Sequence, residues 1–199
     1  MDFETMVNLF CAVFIHYKTD EKKVFIIHDL KDDTEEFLEF LDHNKRFHEW
    51  HISFNGLHFD SQITEAILKK KDFINISTKE RLTFIYATSQ AIIKRVEQWP
   101  EYPEWKLSIK QIDVFKINHW DNANKRSSLK WIECMIDWDN VQEMPIHHTT
   151  EVHSWEDINM IVDYCINDVL STKKVYNLSR PLLEVRMSVK KKYNLPCIN

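Results

Sequence analysis

The stretch Met1-Asp2-Phe3-Glu4-Thr5 at the start of the chain predicts a short strand with two different faces. Side chains alternate in an extended segment, which places the carboxylates of Asp2 and Glu4 on one face and Phe3 on the other. Two adjacent carboxylates without a counter-charge repel each other, so such a pair is either solvated or binds a cation. The alternative is a chance pair of acids at an exposed amino terminus, since 31 of the 199 residues are Asp or Glu.

Length, composition and charge predict one domain, spanning residues 1–199, and exclude several classes of protein. The hydrophobic fraction of 44% is enough for one buried core. The formal net charge of -5 argues against a protein that wraps duplex DNA through bulk positive charge, so any nucleic-acid contact must be local. The chain has a single glycine, Gly56, which excludes the glycine-rich phosphate loops of P-loop and dinucleotide-binding proteins.

The cysteines and the apolar segments indicate where the protein is found. None of the four cysteines has the spacing of a zinc site, and reduced core thiols are the interpretation we favour for all of them: Cys11, Cys134, Cys165 and Cys197. The longest apolar run is too short to span a bilayer, and the first residues lack the basic segment of a signal peptide. We therefore expect an intracellular, cytoplasmic protein with no membrane partner, which includes one encoded by a phage or virus and made in its host cell.

Hydrophobic periodicity predicts strands mainly in the first third of the chain and helices in the rest. The predicted strands are the first motif and residues 8–17, 23–28, 51–54 and 110–117, of which 8–17 and 23–28 are predicted to pair as a hairpin. The predicted helices begin with a cap at Asp33, at Phe59, with a capping box at Ser77, and at Leu129, Ser154 and Pro181. The helix from Ser154 is expected to end near Tyr176, before the separate helix at 181–192. This order of elements predicts an α/β or α+β arrangement around a mixed sheet.

Three further residues extend the acidic pattern of the first strand. Asp60 begins a helix directly after a predicted strand, where the N–H groups of the helix start favour a fixed carboxylate. Tyr164 and Asp168 are four residues apart, so a phenol and a carboxylate project from one face of the closing helix. Both lie on or beside its apolar stripe, where an unpaired carboxylate would be costly. Four acids without an evident cationic partner, Asp2, Glu4, Asp60 and Asp168, fit a site for hard divalent cations.

Three segments together resemble the motifs of DEDD exonucleases. Asp2-Phe3-Glu4-Thr5 is similar to the first motif, Asp-x-Glu. Asn55-Gly56-Leu57-His58-Phe59-Asp60 resembles the second, Asn-x-x-x-Phe-Asp, in the form used by the proofreading domain of family B DNA polymerases. Tyr164-Cys165-Ile166-Asn167-Asp168 resembles the third, Tyr-x-x-x-Asp, whose tyrosine marks the DEDDy subgroup. The order of the motifs and their predicted elements, a strand, a strand-to-helix turn and a closing helix, also agree with that family.

The resemblance covers most of the chain, from Asp2 to about Tyr176, and implies both a fold and an activity. The implied fold is α/β and ribonuclease H-like, with a mixed five-stranded sheet flanked by helices. The implied activity is that of a 3′–5′ exonuclease, which removes nucleoside 5′-monophosphates from single-stranded 3′ ends. The resemblance further implies two Mg²⁺ or Mn²⁺ ions held by four acids: Asp2, Glu4, Asp60 and Asp168.

The resemblance also implies roles for the remaining motif residues. Tyr164 would orient the attacking water through its phenol, and Glu4 could contact the same water. Phe3, Leu57 and Phe59 would form an apolar wall near the terminal base, although for Phe59 a place in the core is the stronger expectation. The remaining residue of the second motif, Asn55, would donate a hydrogen bond to substrate or support a ligand from behind.

The position of the first motif bears on the partners. In the family this motif ends a full strand, whereas here only Met1 precedes it, so we expect a truncated first strand and a chain that is part of a longer polymerase. The expected partners are a single-stranded DNA 3′ end and a DNA polymerase domain in the same parent chain. Two alternatives stay open: a stand-alone DEDDy nuclease acting on DNA or RNA, and a catalytically silent scaffold that binds a partner.

Overall fold

The protein is described by a computed structural model that covers residues 1–95, 100–119 and 127–199, with only the backbone at residue 119. Six strands and six α-helices lie in these ranges. They are β1 Asp2–Thr5, β2 Phe10–Ile15, β3 Lys22–His28, β4 Lys31–Asp32, α1 Thr34–Arg46, β5 Trp50–Ser53, α2 Asp60–Lys69, α3 Thr78–Lys94, β6 Lys110–Asp113, α4 Val114–His119, α5 Leu129–Met135 and α6 Trp155–Tyr193.

The first four strands form one antiparallel sheet in the order β1-β2-β3-β4. Asp2 pairs with Val13 across β1 and β2, and Phe10 pairs with Ile27 across β2 and β3. The β-branched and aromatic side chains of β2 and β3 suit this half-buried, pleated surface. The predicted hairpin and the predicted strand at the first motif are therefore confirmed.

The predicted five-stranded, ribonuclease H-like sheet is wrong. The other two strands, β5 and β6, form a separate parallel pair, in which Ile52 lies opposite Ile112. β1 has only four residues, and in the described part of the chain it forms a ladder with β2 alone. The two sheets approach each other at Met1, whose amino group donates a hydrogen bond to the backbone O of Ile52 at 2.6 Å.

The antiparallel sheet separates two apolar clusters, because its side chains alternate between the two faces. One face carries Phe3 and Phe10, which pack with helices α1, α2 and α3 in a cluster that includes Phe37. The other face carries Cys11 and Val13, which pack against the stripe of α6 formed by its buried apolar residues Ile158, Ile161, Cys165 and Val169. Burial of each large side chain contributes about 1.5–3 kcal/mol. Both faces of the sheet are thus anchored.

Two predicted element boundaries differ from those of the structure for local reasons. The predicted strand 110–117 ends at Asp113, because this carboxylate accepts hydrogen bonds from the backbone N–H groups of Phe115 at 3.0 Å and Lys116 at 3.3 Å and begins α4. Asp33 does not cap α1, because its side chain accepts from the backbone N–H of Ile26 at 2.9 Å instead. The capping box predicted at Ser77 is confirmed.

Helix α6 is continuous, whereas the sequence predicts two helices separated near residues 177–180. Pro181 lies inside α6 and removes one N–H donor from the helix. Packing on both sides of it compensates: Leu183 joins a cluster with Ile112 and Ile117, and Ser179 accepts a hydrogen bond from the Asn118 amide at 2.8 Å. Although α6 has 39 residues, neither it nor any other helix of the described ranges is apolar enough to cross a membrane.

We expect Asp113→Asn to destabilise the protein, because one carboxylate oxygen becomes an NH₂ group that faces backbone N–H donors. Leaving a buried donor unsatisfied in this way costs about 1–3 kcal/mol. The free energy of unfolding in urea measures the effect. Asp139→Asn, at an exposed acid, should change stability by less than about 0.5 kcal/mol; equal effects of both variants would show that the Asp113 carboxylate has no special role.

Candidate metal centre

The first motif contributes two carboxylates to one face of β1. Phe3 points into the core, so the alternation of the strand directs Asp2 and Glu4 to the opposite face, where both remain half-buried. One ligand atom from each of Asp2, Glu4 and Cys165 lies within 4.8 Å of the others. The predicted pairing of the two acids on one face is thus present, and a thiol from α6 joins them.

The second motif forms the turn between β5 and α2 and fixes Asp60 at the start of the helix. Asn55 has a positive φ of 59°, and the Gly56 carbonyl accepts from the backbone N–H of Ser61 at 2.8 Å. A Cβ at Gly56 would lie 2.0 Å from Ser53 Oγ and 3.2 Å from Asp60 Oδ2. Any side chain at Gly56 would therefore collide with Ser53, so the single glycine of the chain allows this close approach.

Asp113, which sequence reasoning missed, fastens the same turn from β6. Its carboxylate accepts from the backbone N–H groups of Asn55 at 2.9 Å and Leu57 at 3.1 Å. Burial raises the pKa of Asp113 to about 6, while the hydrogen bonds from these and other backbone amides act in the opposite direction. The sequence signal for the role of Asp113 was an acid at the end of an apolar strand. It was missed because the predicted strand 110–117 continues past this residue.

Asp60 differs from Asp113 in that part of its carboxylate has no partner. It is 2% exposed, and in the part of the chain that the structure describes no group hydrogen-bonds to its Oδ1 atom. Burial, and then the nearby charge of Asp2, raise the pKa of Asp60 well above its ordinary value. A buried carboxylate oxygen without a donor is costly unless a cation compensates it.

The third motif places a carboxylate and a phenol of α6 near the acids of β1, although in the described residues neither Asp60 nor Asp168 joins the group of ligand atoms within 4.8 Å of one another. Asp168 is 6% exposed and Tyr164 is 8% exposed, as their position near the apolar stripe predicts. Burial, followed by the charges of Asp168 and Glu4, raises the pKa of the Tyr164 hydroxyl well above its usual range. The phenol therefore stays protonated at neutral pH and can donate a hydrogen bond.

Lys130 on α5 is the cationic partner of Asp168, which sequence reasoning also missed. Its Nζ atom hydrogen-bonds to Asp168 Oδ1, lies 3.5 Å from Glu133 Oε2 and lies 4.5 Å from the centroid of the Tyr164 ring. Glu133 in turn accepts from the Ser171 hydroxyl at 2.6 Å. No spacing in the sequence relates Lys130 to Asp168, because the two residues are 38 positions apart.

The acids are mutually coupled through space. Burial raises the pKa of Asp2 to about 7, with the charge of Asp168 as the next cause. Burial also raises the pKa of Glu4 well above its ordinary value, and Asp2, Asp168 and Asp60 add to that shift. Asp2, Glu4 and Asp60 thus each sense the charge of at least one other predicted ligand, as is common at functional sites.

The chemistry of these residues fits hard divalent cations. Carboxylate oxygens are the preferred ligands of Mg²⁺ and Mn²⁺, and the partner-free Oδ1 of Asp60 provides a buried oxygen without a competing hydrogen bond. Asp2 and Glu4 are half-buried, whereas Asp60 and Asp168 are buried. Asp2, Glu4, Asp60 and Asp168 would hold the cations, and Lys130 and the Met1 amine supply positive charge to the same acids.

The four residues predicted to contact substrate lie in different surroundings. Phe3 is 3% exposed, with its ring centroid 5.3 Å from that of Phe10, so its ring belongs to the core and not to a surface that a base could reach. Leu57 is also 3% exposed. Phe59 packs at the edge of the same cluster as Phe3, and Asn55 is half-buried beside Gly56. Asn55 is therefore the best placed of these four residues to reach a ligand.

No protein-family model, curated protein or solved structure matches the chain.

We expect the metal-free protein to lose stability as the pH rises through neutrality. The pKa of Asp2 is about 7 in the folded chain and about 4 in an unfolded one, so between these values the folded state binds more protons and the free energy of unfolding falls with rising pH. The pKa shifts of Glu4, Asp60 and Asp168 have the same sign. The lowered pKa values of the Met1 amine and of two histidines, His51 and His58, oppose them.

Urea unfolding in EDTA tests this expectation, with a lower midpoint at about pH 7 than at about pH 5. Asp2→Asn removes one titrating group and should reduce the difference, whereas Asp139→Asn should preserve it. A midpoint that rises over this range would show that the coupled acids do not dominate the pH dependence.

Proposed function

We propose that this chain is a divalent-cation-dependent 3′–5′ exonuclease that releases nucleoside 5′-monophosphates from single-stranded 3′ ends. The proposal is carried by Asp2 and Glu4, which lie together on β1, and by the charges of Asp60 on α2 and Asp168 on α6, which both raise the pKa of Glu4. It rests on this cluster and on the three motifs that supply it. It makes no use of the ribonuclease H-like sheet, which the structure contradicts.

Divalent cations bound by these acids would lower the pKa of an attacking water and stabilise charge on the leaving oxygen. Tyr164 is suited to orient this water and not to deprotonate it, because the raised pKa of its hydroxyl keeps the phenol neutral. The water oxygen forms a bond to phosphorus, and the bond from phosphorus to the 3′ oxygen breaks. One water proton ends on that 3′ oxygen, which gives a 5′-monophosphate and a shortened strand.

Lys130 is the residue that we assign to the substrate phosphate. Its Nζ is held beside Asp168 and the Tyr164 ring, and its side chain is 16% exposed. Once the charge of Asp168 is neutralised, the attraction between the two side chains weakens and the ammonium group is free to donate to a phosphate oxygen. Lys130 thus provides the local positive charge that an acidic chain otherwise lacks.

The polarity of digestion and the partners come from the motif resemblance. The DEDDy pattern of Tyr164 and Asp168 supports single-stranded DNA 3′ ends as substrate, with Asn55 near the terminal nucleotide. The second motif resembles that of polymerase proofreading domains. This resemblance supports proofreading as the role and a DNA polymerase domain in the same parent chain as the partner. We place this role inside the cell, in keeping with cysteines that form no disulfide in the structure.

One observation favours a second candidate, the catalytically silent scaffold. Lys130 already neutralises Asp168 through their ion pair, as a lysine that replaces a cation in an inactive site would. A stand-alone nuclease acting on DNA or RNA uses the same residues as the main proposal and differs from it in substrate and partner. Measurement of cleavage and of metal binding on the same preparation separates the silent scaffold from both nucleases.

Purified protein with Mg²⁺ should shorten a 5′-labelled single strand stepwise from its 3′ end, and EDTA should stop the reaction. Asp60→Asn keeps the shape of the buried side chain but removes the charge that a cation requires, so the rate should fall by several orders of magnitude. Asp139→Asn is the matched control at an exposed acid and should cleave at the wild-type rate. Product ladders on a denaturing gel measure both rates.

Cleavage that persists in EDTA would contradict the metal dependence, and internal cuts would contradict the exonuclease assignment. Intact Mn²⁺ binding without cleavage of either DNA or RNA would favour the silent scaffold. Equal cleavage of DNA and RNA strands would favour the stand-alone nuclease.

Tyr164→Phe should have a smaller effect, because it removes a hydroxyl group that positions water and leaves the four acids intact. We expect a loss of rate on the order of 10²-fold or less, the range of one orienting contact. Mn²⁺ affinity, measured by titration calorimetry, should be unchanged. A rate loss equal to that of Asp60→Asn would mean that the tyrosine has another role.

A further inference from the structure

The thiol of Cys165 lies beside the carboxylate cluster as well as in the core. Cys165 is fully buried, and its Sγ atom lies 3.4 Å from the backbone O of Asp2 and 3.6 Å from Asp2 Oδ2. Its ligand atom and those of Asp2 and Glu4 all lie within 4.8 Å of one another. A core cysteine usually contacts only apolar groups, whereas this sulfur contacts an acid on β1.

These separations are close to those of a tetrahedral metal site. Oxygen and sulfur ligands at their normal distances from Zn²⁺ are about 3.5 Å apart, and the distance from Cys165 Sγ to Asp2 Oδ2 matches that value. The other separations are at most 4.8 Å, so a bound cation would draw the Glu4 carboxylate closer. One sulfur and two carboxylate groups leave a fourth position open for water.

Asp60, whose ligand atoms lie outside this group of three, is a neighbouring acid with an oxygen that lacks a hydrogen bond in the described ranges. The Oδ1 atom of Asp60 has no hydrogen-bond partner although the residue is 98% buried, since its exposed fraction is 2%. The Asp2 charge acts on Asp60 strongly enough to raise its pKa further after burial. Asp60 is therefore an acid close enough to Asp2 to interact with it electrostatically.

We propose that Asp2, Glu4 and Cys165 form a binding site for one thiophilic divalent cation of the Zn²⁺ and Cd²⁺ class. On binding, a bond forms between the cation and Cys165 Sγ, and the thiol proton passes to solvent. Hard cations such as Mg²⁺ bind carboxylate oxygen and not sulfur, so the thiol distinguishes the two classes. Because Asp2 and Glu4 are shared with the site proposed above, a thiophilic cation excludes Mg²⁺ from it and inhibits the chain.

Cd²⁺ titration without nucleic acid tests this inference, because Cd²⁺ bound to a thiolate has an ultraviolet charge-transfer band. The starting protein carries Cys134→Ser and Cys197→Ser, which remove the exposed and half-buried thiols. We expect one Cd²⁺ per chain with this band, and a shift of the titration to higher Cd²⁺ concentration in excess Mg²⁺. Adding Cys165→Ser should abolish the band and weaken Cd²⁺ binding at least about 10-fold.

Absence of the band, or its survival in Cys165→Ser, would overturn the proposal. Glu4→Gln covers the case in which Cys165→Ser does not fold, since it keeps the thiol and the side-chain shape. It should weaken Cd²⁺ binding about 10-fold, and an unchanged affinity would equally overturn the proposal. The thiophilic site shares Asp2 and Glu4 with the proposed exonuclease site but does not depend on the exonuclease reaction. A charge-transfer band without Mg²⁺-dependent cleavage would support only the thiophilic site. Cleavage without the band would support only the exonuclease.

Discussion

Mutual repulsion among four carboxylates in a site with little water is the constraint on which the arrangement of this protein depends. Asp2, Glu4, Asp60 and Asp168 come from β1, α2 and α6, and each raises the cost of ionising another. The fold holds them together because β1 is fixed between two apolar clusters on opposite faces of one sheet. The favourable packing of the two apolar clusters thus compensates for the unfavourable electrostatic repulsion among the acids, as is common at functional sites.

Asp113 and Asp60 show why burial alone does not identify a functional acid. Both are almost completely buried, and both belong to the junction between the parallel strands and α2. Asp113 accepts hydrogen bonds from four backbone N–H groups, so its charge is compensated by the chain itself. Asp60 retains an oxygen without a partner. The difference assigns Asp113 to the support of the turn and leaves Asp60 as the residue that needs a ligand.

The sequence predicted those features that neighbouring residues determine. The alternation of β1, the hairpin and the capping box at Ser77 depend on interactions within a few positions, and all three occur in the structure. The sheet was predicted wrongly because the motifs indicate which segments are strands but not which strands are neighbours. In the described ranges the four-residue β1 forms a ladder only with β2. Lys130 was missed for a related reason, since its partner is distant in sequence.

The position of Cys165 on α6 shows how one residue can belong both to a core and to a site. Ile161, Cys165 and Val169 recur every four residues and form the stripe that packs on β2, which is why the sequence pattern predicts a core thiol. Tyr164 comes one position before Cys165, and Asp168 comes one position before Val169. One position corresponds to about 100° around the helix axis, so these two side chains project to one side of the stripe, toward the acids of β1. Because β1 lies beside this stripe, the sulfur reaches Asp2 without leaving the core. A valine would satisfy the packing equally well, so periodicity cannot distinguish the two roles, and only the contact between sulfur and carboxylate separates them.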